Sequence, residues 1–286
     1  MEMFNLKLEN KAGDYLTFNQ NSPFTISEIE GLNPPDATIN TSQIAMVDGA
    51  KFNSAKVNMR TINIAFAIEK QAAKNRIEVY KVLKSKQWIR LYYEGDYRKV
   101  YIDGYISNID VDHFAMKQIV TCSILCPSPF FSDAQNMVNS LLRSIKMFHF
   151  PFYSTETPMI TFGKVYNEIG VSIENNGDVE TGIIIILYAR SAVSNPKIYD
   201  YVKRKYFGLK INMVAGDQIT IDTRLGEKTV TLLRNGVKTN IFNSITNGSE
   251  WLQLDAHGST YVHEVETGNA SNVDLKIKHN NLYEGV

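Results

Sequence analysis

The sequence predicts a mainly β protein of two domains: an α+β domain on antiparallel sheet with a single helix, then an antiparallel β-sandwich. Three observations predict this. Apolar and polar residues alternate with period two through much of the first half, as in RTINIAFAIE and KQIVTCSILC. One segment only, around residues 70–84, steps by three and four instead. After residue 165 no stretch has helical period, and turn pairs punctuate short runs at the spacing of a sandwich. A length of 286 residues exceeds the roughly 100–150 of one ordinary domain, so two are expected. We place them at 1–135 and 166–286, joined by a linker over 136–165.

The first 25 residues read as strands around KAGD, where Gly13-Asp14 suits a turn. Pro34 and Pro35 cannot sustain a regular ladder, so 31–38 is expected to be a loop or an extended arm. Asp48-Gly49, between QIAMV and AKFNSAKV, marks a hairpin turn. Ile62, Ile64, Phe66 and Ile68 then line one face of a strand. Ala73, Ile77, Tyr80 and Leu83 form the apolar stripe of a helix of about four turns, with Lys70, Lys74, Arg76, Lys81 and Lys84 on its solvated face. WIRLYYEGDYRKVYIDGYISNI reads as strand, Gly95-Asp96 turn and strand, with a bulge at Gly104. KQIVTCSILC closes the set. The sequence then changes character at CPSPFF: Pro127 and Pro129 end strand pairing, because proline fixes φ and donates no hydrogen bond. The polar SDAQNMVNSLLR that follows is compatible with a short helix. In the second half, Asn176-Gly177, Gly216-Asp217, Gly226-Glu227 and Asn235-Gly236 separate the strands, and GIIIILYA is apolar on both faces.

Thirty basic and thirty acidic residues cancel, so bulk charge supplies no reason to bind nucleic acid or an anionic membrane. GIIIILYA is far short of the roughly 20 apolar residues of a membrane span, so no membrane insertion is expected. MEMFNLKLEN has no basic region followed by an apolar core, so synthesis in a host cytoplasm is the expectation. Cys122 and Cys126 share one strand face with Cα atoms about 13 Å apart, beyond the roughly 7 Å a disulfide tolerates. They read as small buried hydrophobes. HEVET at 263–267 lacks the second histidine of a zinc helix, and DVDH at 110–113 reads as a solvated strand end. Phosphate-binding glycine loops and the nucleophile elbow have no counterpart in the sequence. No enzyme, cofactor or metal is expected.

The first half resembles the N-terminal domain of phage distal tail proteins, the Dit family of long-tailed phages. The resemblance is carried by ISEIEGLNPPDATINTS, the Asp48-Gly49 turn with VNMRTINIAFAI after it, the single helix, WIRLYYEGDYRKVYIDGYI and SILCPSPFF. In the second half it is carried by NNGDVETGIIIILYA, NPKIYD, GDQITIDTRLGEKTVTL, WLQLDAHGS and YEGV. It implies a β-sandwich-like α+β domain bearing a β-hairpin arm, and a galectin- or carbohydrate-module-like sandwich. It also implies a structural virion protein at the distal end of the tail, a baseplate hub subunit forming a homohexameric ring. Its expected partners are other copies of itself, the tail tube protein, the tail-tip protein or tail-associated lysin, and receptor-binding proteins. Subunit contacts are then expected at Pro34, Pro35, Asp48 and Gly49 on the arm. Phe130 and Phe131 anchor the domain end, against its own sheet or against a neighbouring subunit.

Rival readings predict other features. A carbohydrate-binding module or adhesin on the tail tip predicts exposed aromatics, for which Trp251 and Tyr261 are the candidates. A β-rich glycosidase predicts a carboxylate pair in a cleft, which spacing alone does not locate. A contractile-tail or tailocin baseplate subunit shares the hub role with different neighbours.

Overall fold

The structure, a computed structural model, describes residues 5–134, 137–140, 142–146, 163–167 and 170–286. The chain divides into two units, Met1–Ala134 with Leu282–Val286, and Gln135–Asn281. The last five residues therefore lie with the first unit, where the sequence reading had put them in the second domain. The segment MFHFPFYSTETP lies outside the described residues.

The first unit is one antiparallel sheet of β1 (Asn5–Asn10), β2 (Tyr15–Phe18), β3 (Phe24–Glu30), β6 (Arg60–Ile68), β7 (Trp88–Glu94), β8 (Lys99–Val111) and β9 (Ile119–Cys126). Their order is β2-β1-β7-β8-β9-β6-β3. Gly13, at φ 89°, makes the β1–β2 turn. The outermost strands β2 and β3 approach each other across a short turn. There the rings of Phe18, Phe24 and Phe66 meet at centroid distances of 5.0 to 6.1 Å. Alternation delivers Leu6, Leu8, Leu16, Ile62, Ile64, Ile89, Leu91, Ile102, Val120 and Ile124 to one core. Each fully buried side chain of this size is worth about 1.5–3 kcal/mol. Cys122 and Cys126 are free thiols within that core, and burial pushes both up to about 12.

Three local expectations for this unit need correction. The helix α1 (Ala72–Val82) has eleven residues, three turns rather than four. It buries Val79 and Val82, while Ile77 is 52% exposed. Of the stripe read from sequence, Tyr80 packs against the core and Leu83 is buried just past the helix end, whereas Ala73 and Ile77 are exposed. Gly104 is not a bulge: it pairs regularly with Ile89, and the register shift falls between Ile106 and Asn108. The glycine is required because a Cβ there would sit 2.6 Å from Ile124 Cγ2 and 2.9 Å from Cys126 Sγ. The described residues of SDAQNMVNSLLR form strand in place of helix: Ser132 and Asp133 belong to β10 (Phe131–Asp133), followed by Met137–Ser140 and by Leu142 and Arg143 of a further strand. Open sheet edges offer the backbone ladder bonds that override a weak local helical preference.

Among the described residues the second unit carries two two-stranded ladders, Leu142–Lys146 with Gly163–Asn167 and Val193–Ser194 with Asn212–Met213, beside two large sheets. One runs in the order Met137–Ser140, Val273–His279, Thr181–Ala189, Gln218–Asp222, Thr229–Arg234 and Val237–Asn240. The other runs Gly170–Ile173, Ser259–Glu264, Lys197–Asp200 and Lys205–Gly208. Ile183, Ile185, Ile221 and Ile277 from the first share a core with Ile173, Ile198, Phe207 and Tyr261 from the second, which makes a sandwich. GIIIILYA buries Ile183, Ile185, Leu187 and Ala189, but Ile184 and Ile186 are only partly covered and Tyr188 is 42% exposed. It is one-sided, not covered on both faces. Asn235 and Gly236 join Thr229–Arg234 to Val237–Asn240 with φ of 50° and 78°, the mirror-image turn that matches strand twist.

Gly236→Val leaves open space around its side chain but forces a β-branched residue to positive φ. It should destabilise the second unit by about 1–3 kcal/mol, read as a lowered melting temperature without change in the first unit. His279 gives a pH dependence. The ring is buried, and neither nitrogen has a hydrogen-bond partner among the described residues. Burial holds its pKa below the ordinary 6.5, so the unfolded chain takes up a proton more readily than the folded one. Stability is therefore full above about pH 6.5 and falls as pH drops below it. Thermal melts between pH 7.5 and 5 should show this decline, and His279→Phe should flatten it.

Candidate assembly interface

Between β3 and β6 the chain leaves the sheet as a hairpin of β4 (Ala37–Gln43) and β5 (Ala50–Val57), which pair only with each other. The loop between them spans 44–49, longer than the two-residue turn read at Asp48-Gly49, with Met46 and Gly49 both at positive φ. Every residue of both strands is exposed.

The hairpin is nevertheless amphipathic. Ala37 faces Val57, Ile39 faces Ala55 and Thr41 faces Phe52. The register shift after Asn40 leaves Asn53 as the extra residue, and so turns Phe52 to the face of Ala55 and Val57. The opposite face is polar and internally bonded: Thr38 Oγ1 donates to Asn58 Oδ1 at 2.9 Å, Asn40 Nδ2 to Ser54 Oγ at 3.0 Å, and Asn53 Nδ2 to Ser42 Oγ at 2.5 Å. Ile39 and Phe52 are 63% and 61% exposed, and Met46 at the tip is fully so. A lone two-stranded hairpin is marginal in water, so this apolar face is suited to burial against something else.

The root of the arm is tied down by one buried side chain. Arg60, the first residue of β6, is 4% exposed. Its Nη1 donates to the carbonyls of Gly31 at 2.5 Å and Asn33 at 2.8 Å, and its Nε to that of Pro129 at 2.7 Å. Its Nη2 donates to the carbonyl of Glu284, and the guanidinium lies 4.6 Å over the ring of Phe131. Burial lowers the guanidinium's pKa, while the nearby Cys126 and Glu284 act the other way. The planar fork of arginine is what allows one residue to hold several acceptors.

Leu282–Val286 forms a strap across this site. Leu282 and Tyr283 pair with Ser132 and Phe131 of β10, and β10 pairs in turn with β8. Arg98 Nη1 donates to the Gly285 carbonyl at 2.5 Å, its guanidinium lies 4.4 Å over Tyr283, and Val286 N donates to Leu32 O at 3.3 Å. CPSPFF is thereby explained: β9 and β10 occupy successive stretches of one edge of β8, and the proline turn carries the chain past the gap.

Of the residues singled out from sequence, Pro34, Asp48 and Gly49 are exposed on the arm or its root, and Pro35 and Phe130 are half-buried. Phe131 is wholly buried under Arg60, so it anchors its own domain. Tyr261 is also wholly buried, and burial pushes its hydroxyl pKa up. As a core residue it is not available to a glycan. Trp251 is half-buried against Phe207 and Phe242 at 5.1 and 5.8 Å, with Lys228 Nζ 5.3 Å over its ring. Asp110 and Asp112 accept hydrogen bonds from the backbone N–H of Val111 and Phe114. Arg60 and Arg98 were not singled out. Arg60 had a signal: it stands in phase with Ile62, Ile64 and Phe66, a charge on the inward face of an alternating strand.

Arg60→Leu should fill the site with apolar bulk yet leave four carbonyls without their donor. At about 1–3 kcal/mol for each acceptor that water cannot reach, a loss of roughly 2–4 kcal/mol in the first unit is expected. Arg60→Lys, a point donor without the fork, should fall between wild type and Arg60→Leu. Urea denaturation measures both.

Comparison with known proteins agrees with this architecture. The phage tail protein RIFT-related domain matches residues 11–126, and the siphovirus-type tail component C-terminal domain matches residues 176–283. A sequence comparison with curated proteins gives no match. The crystal structure of the Dit protein of phage SPP1, described as a paradigm of the hub adsorption apparatus in phages infecting Gram-positive bacteria, has a similar fold. It matches with a TM-score of 0.67 at 11% identity, over 97% of this chain and 98% of that one. A chain of the phage P2 baseplate in its activated conformation with Ca matches with a TM-score of 0.53 at 13% identity, over 99% of each chain. Two tail-protein domains in the same order on the same fold show that the chain belongs to the phage distal tail protein family.

Proposed function

We propose that the chain is a structural hub subunit at the distal end of a phage tail, and that it assembles into a homohexameric ring through the β4–β5 arm. The observation that carries the ring is the arm itself. It presents Ile39, Phe52, Ala55 and Val57 on one face, pairs with no other strand among the described residues and is tied down at its root by Arg60. A neighbouring copy is the partner that such an arm meets in a head-to-tail contact, and a contact of that kind closes into a ring when the rotation permits. The ring would join the tail tube protein to the tail-tip protein or tail-associated lysin, and the second unit would serve receptor-binding proteins. The role is assembly and symmetry, not catalysis.

Light scattering on the full chain across micromolar concentrations should show self-association that Phe52→Asp reduces at least tenfold in apparent affinity, the loss of about 1.4 kcal/mol expected for placing a charge on that face. A chain that remains monomeric at every concentration, and does not bind isolated tail tubes, would contradict the reading. Assays against peptidoglycan and common polysaccharides, with and without chelator, should show no turnover. Hydrolysis abolished by a single carboxylate substitution would overturn the non-enzymatic role.

A further inference from the structure

We propose that the Leu282–Val286 strap is a clasp that controls how firmly the root of the β4–β5 arm is held. Three backbone segments far apart in sequence converge on the Arg60 guanidinium: the 31–33 loop, the proline turn at Pro129 and the strap at Glu284. The loop and the strap also touch directly. Val286 N donates to Leu32 O at 3.3 Å, and a Cβ on Gly285 would stand 3.2 Å from Leu32 O and 3.3 Å from Pro34 Cδ. Only Asp36 separates the Pro34-Pro35 pair from the first residue of β4. The far side of the root is held by Asn58 N donating to Asp36 O at 2.9 Å, two residues before Arg60.

The strap has its own anchor, independent of the arm. Arg98 binds the Gly285 carbonyl and covers Tyr283, and Leu282 and Tyr283 pair with β10. The strap can therefore be loosened without touching the arm. Its release would deprive Arg60 of one acceptor and admit water to the others. The backbone of the strap continues directly from Val273–His279 of the second unit through Asn280 and Asn281. The consequence for assembly rests on the arm being a subunit contact; the clasp itself does not.

Hydrogen–deuterium exchange on the full-length chain tests it, in Arg98→Ala and in Tyr283→Ala, which loosen the strap at its own anchor away from the arm. Peptides covering 29–40 and 55–61 should exchange about tenfold faster in both variants. Peptides over β1 and β7, and over Thr181–Ala189 and Gln218–Asp222 of the second unit, should be unchanged. Unaltered exchange at 29–40 and 55–61 in both variants would overturn the proposal. So would equal acceleration throughout the first unit, since the strap would then be a general part of the fold with no particular hold on the arm. Exchange is read at a concentration where light scattering shows every variant to be monomeric, so a failure of the ring and a failure of the clasp are distinguishable.

Discussion

The buried guanidinium of Arg60 is the constraint on which the first unit depends. Taking a charge out of water is costly, and it is tolerated only where hydrogen bonds replace the lost hydration. Here the replacement is four backbone carbonyls drawn from three separate segments, with the ring of Phe131 beneath. Such an arrangement is cooperative: removing one segment weakens the hold of the others on the cation. The need to satisfy one side chain therefore fixes where the arm leaves the sheet, where the proline turn passes and where the strap ends.

Function follows from what this leaves uncovered. The core of the first unit is built from its sheet and from Val79, Val82 and Leu83 at the helix, the outermost strands brought together around Phe18, Phe24 and Phe66. The hairpin lies outside that core with its polar face internally bonded and its apolar face bare. A root tied down by Arg60 and an exposed apolar limb suit the subunit contact proposed above. The proposed contact would then be carried by a part that lies outside the buried core of its unit.

Much of this was legible in the sequence, for identifiable reasons. Period-two alternation marks β6, β7 and β9 because one face of each is core, and Asn235-Gly236 marks its hairpin because two successive positive φ values demand such residues. The arm was legible as a proline-led excursion, although its loop is longer than the Asp-Gly pair suggested. The family resemblance was carried by the order of many weak signals. What escaped reading was long-range. The bond from Arg60 to Glu284 spans 224 positions, and no local pattern announces that YEGV returns to the first unit. The helix face was read correctly at Tyr80 and Leu83 but not at Ile77, because Ile77 and Val79 are equally apolar and only tertiary packing chooses between them. Tyr261 could be named only as a candidate of the rival carbohydrate-binding reading, because strand cores and strand surfaces use the same aromatic residues; the structure puts it in the core.

The central claim is that Arg60 and the strap form one cooperative site. A double-mutant cycle tests it most directly: the cost of Arg98→Ala to the stability of the first unit, measured in the native chain and again in Arg60→Lys. Unfolding is followed by the fluorescence of Trp88 with Trp251→Phe in every chain. If the site is cooperative, Arg98→Ala should cost about 1 kcal/mol less when Arg60 is already lysine, because the strap is then partly released. An equal cost in both backgrounds would show that the two arginines act independently and would contradict the account.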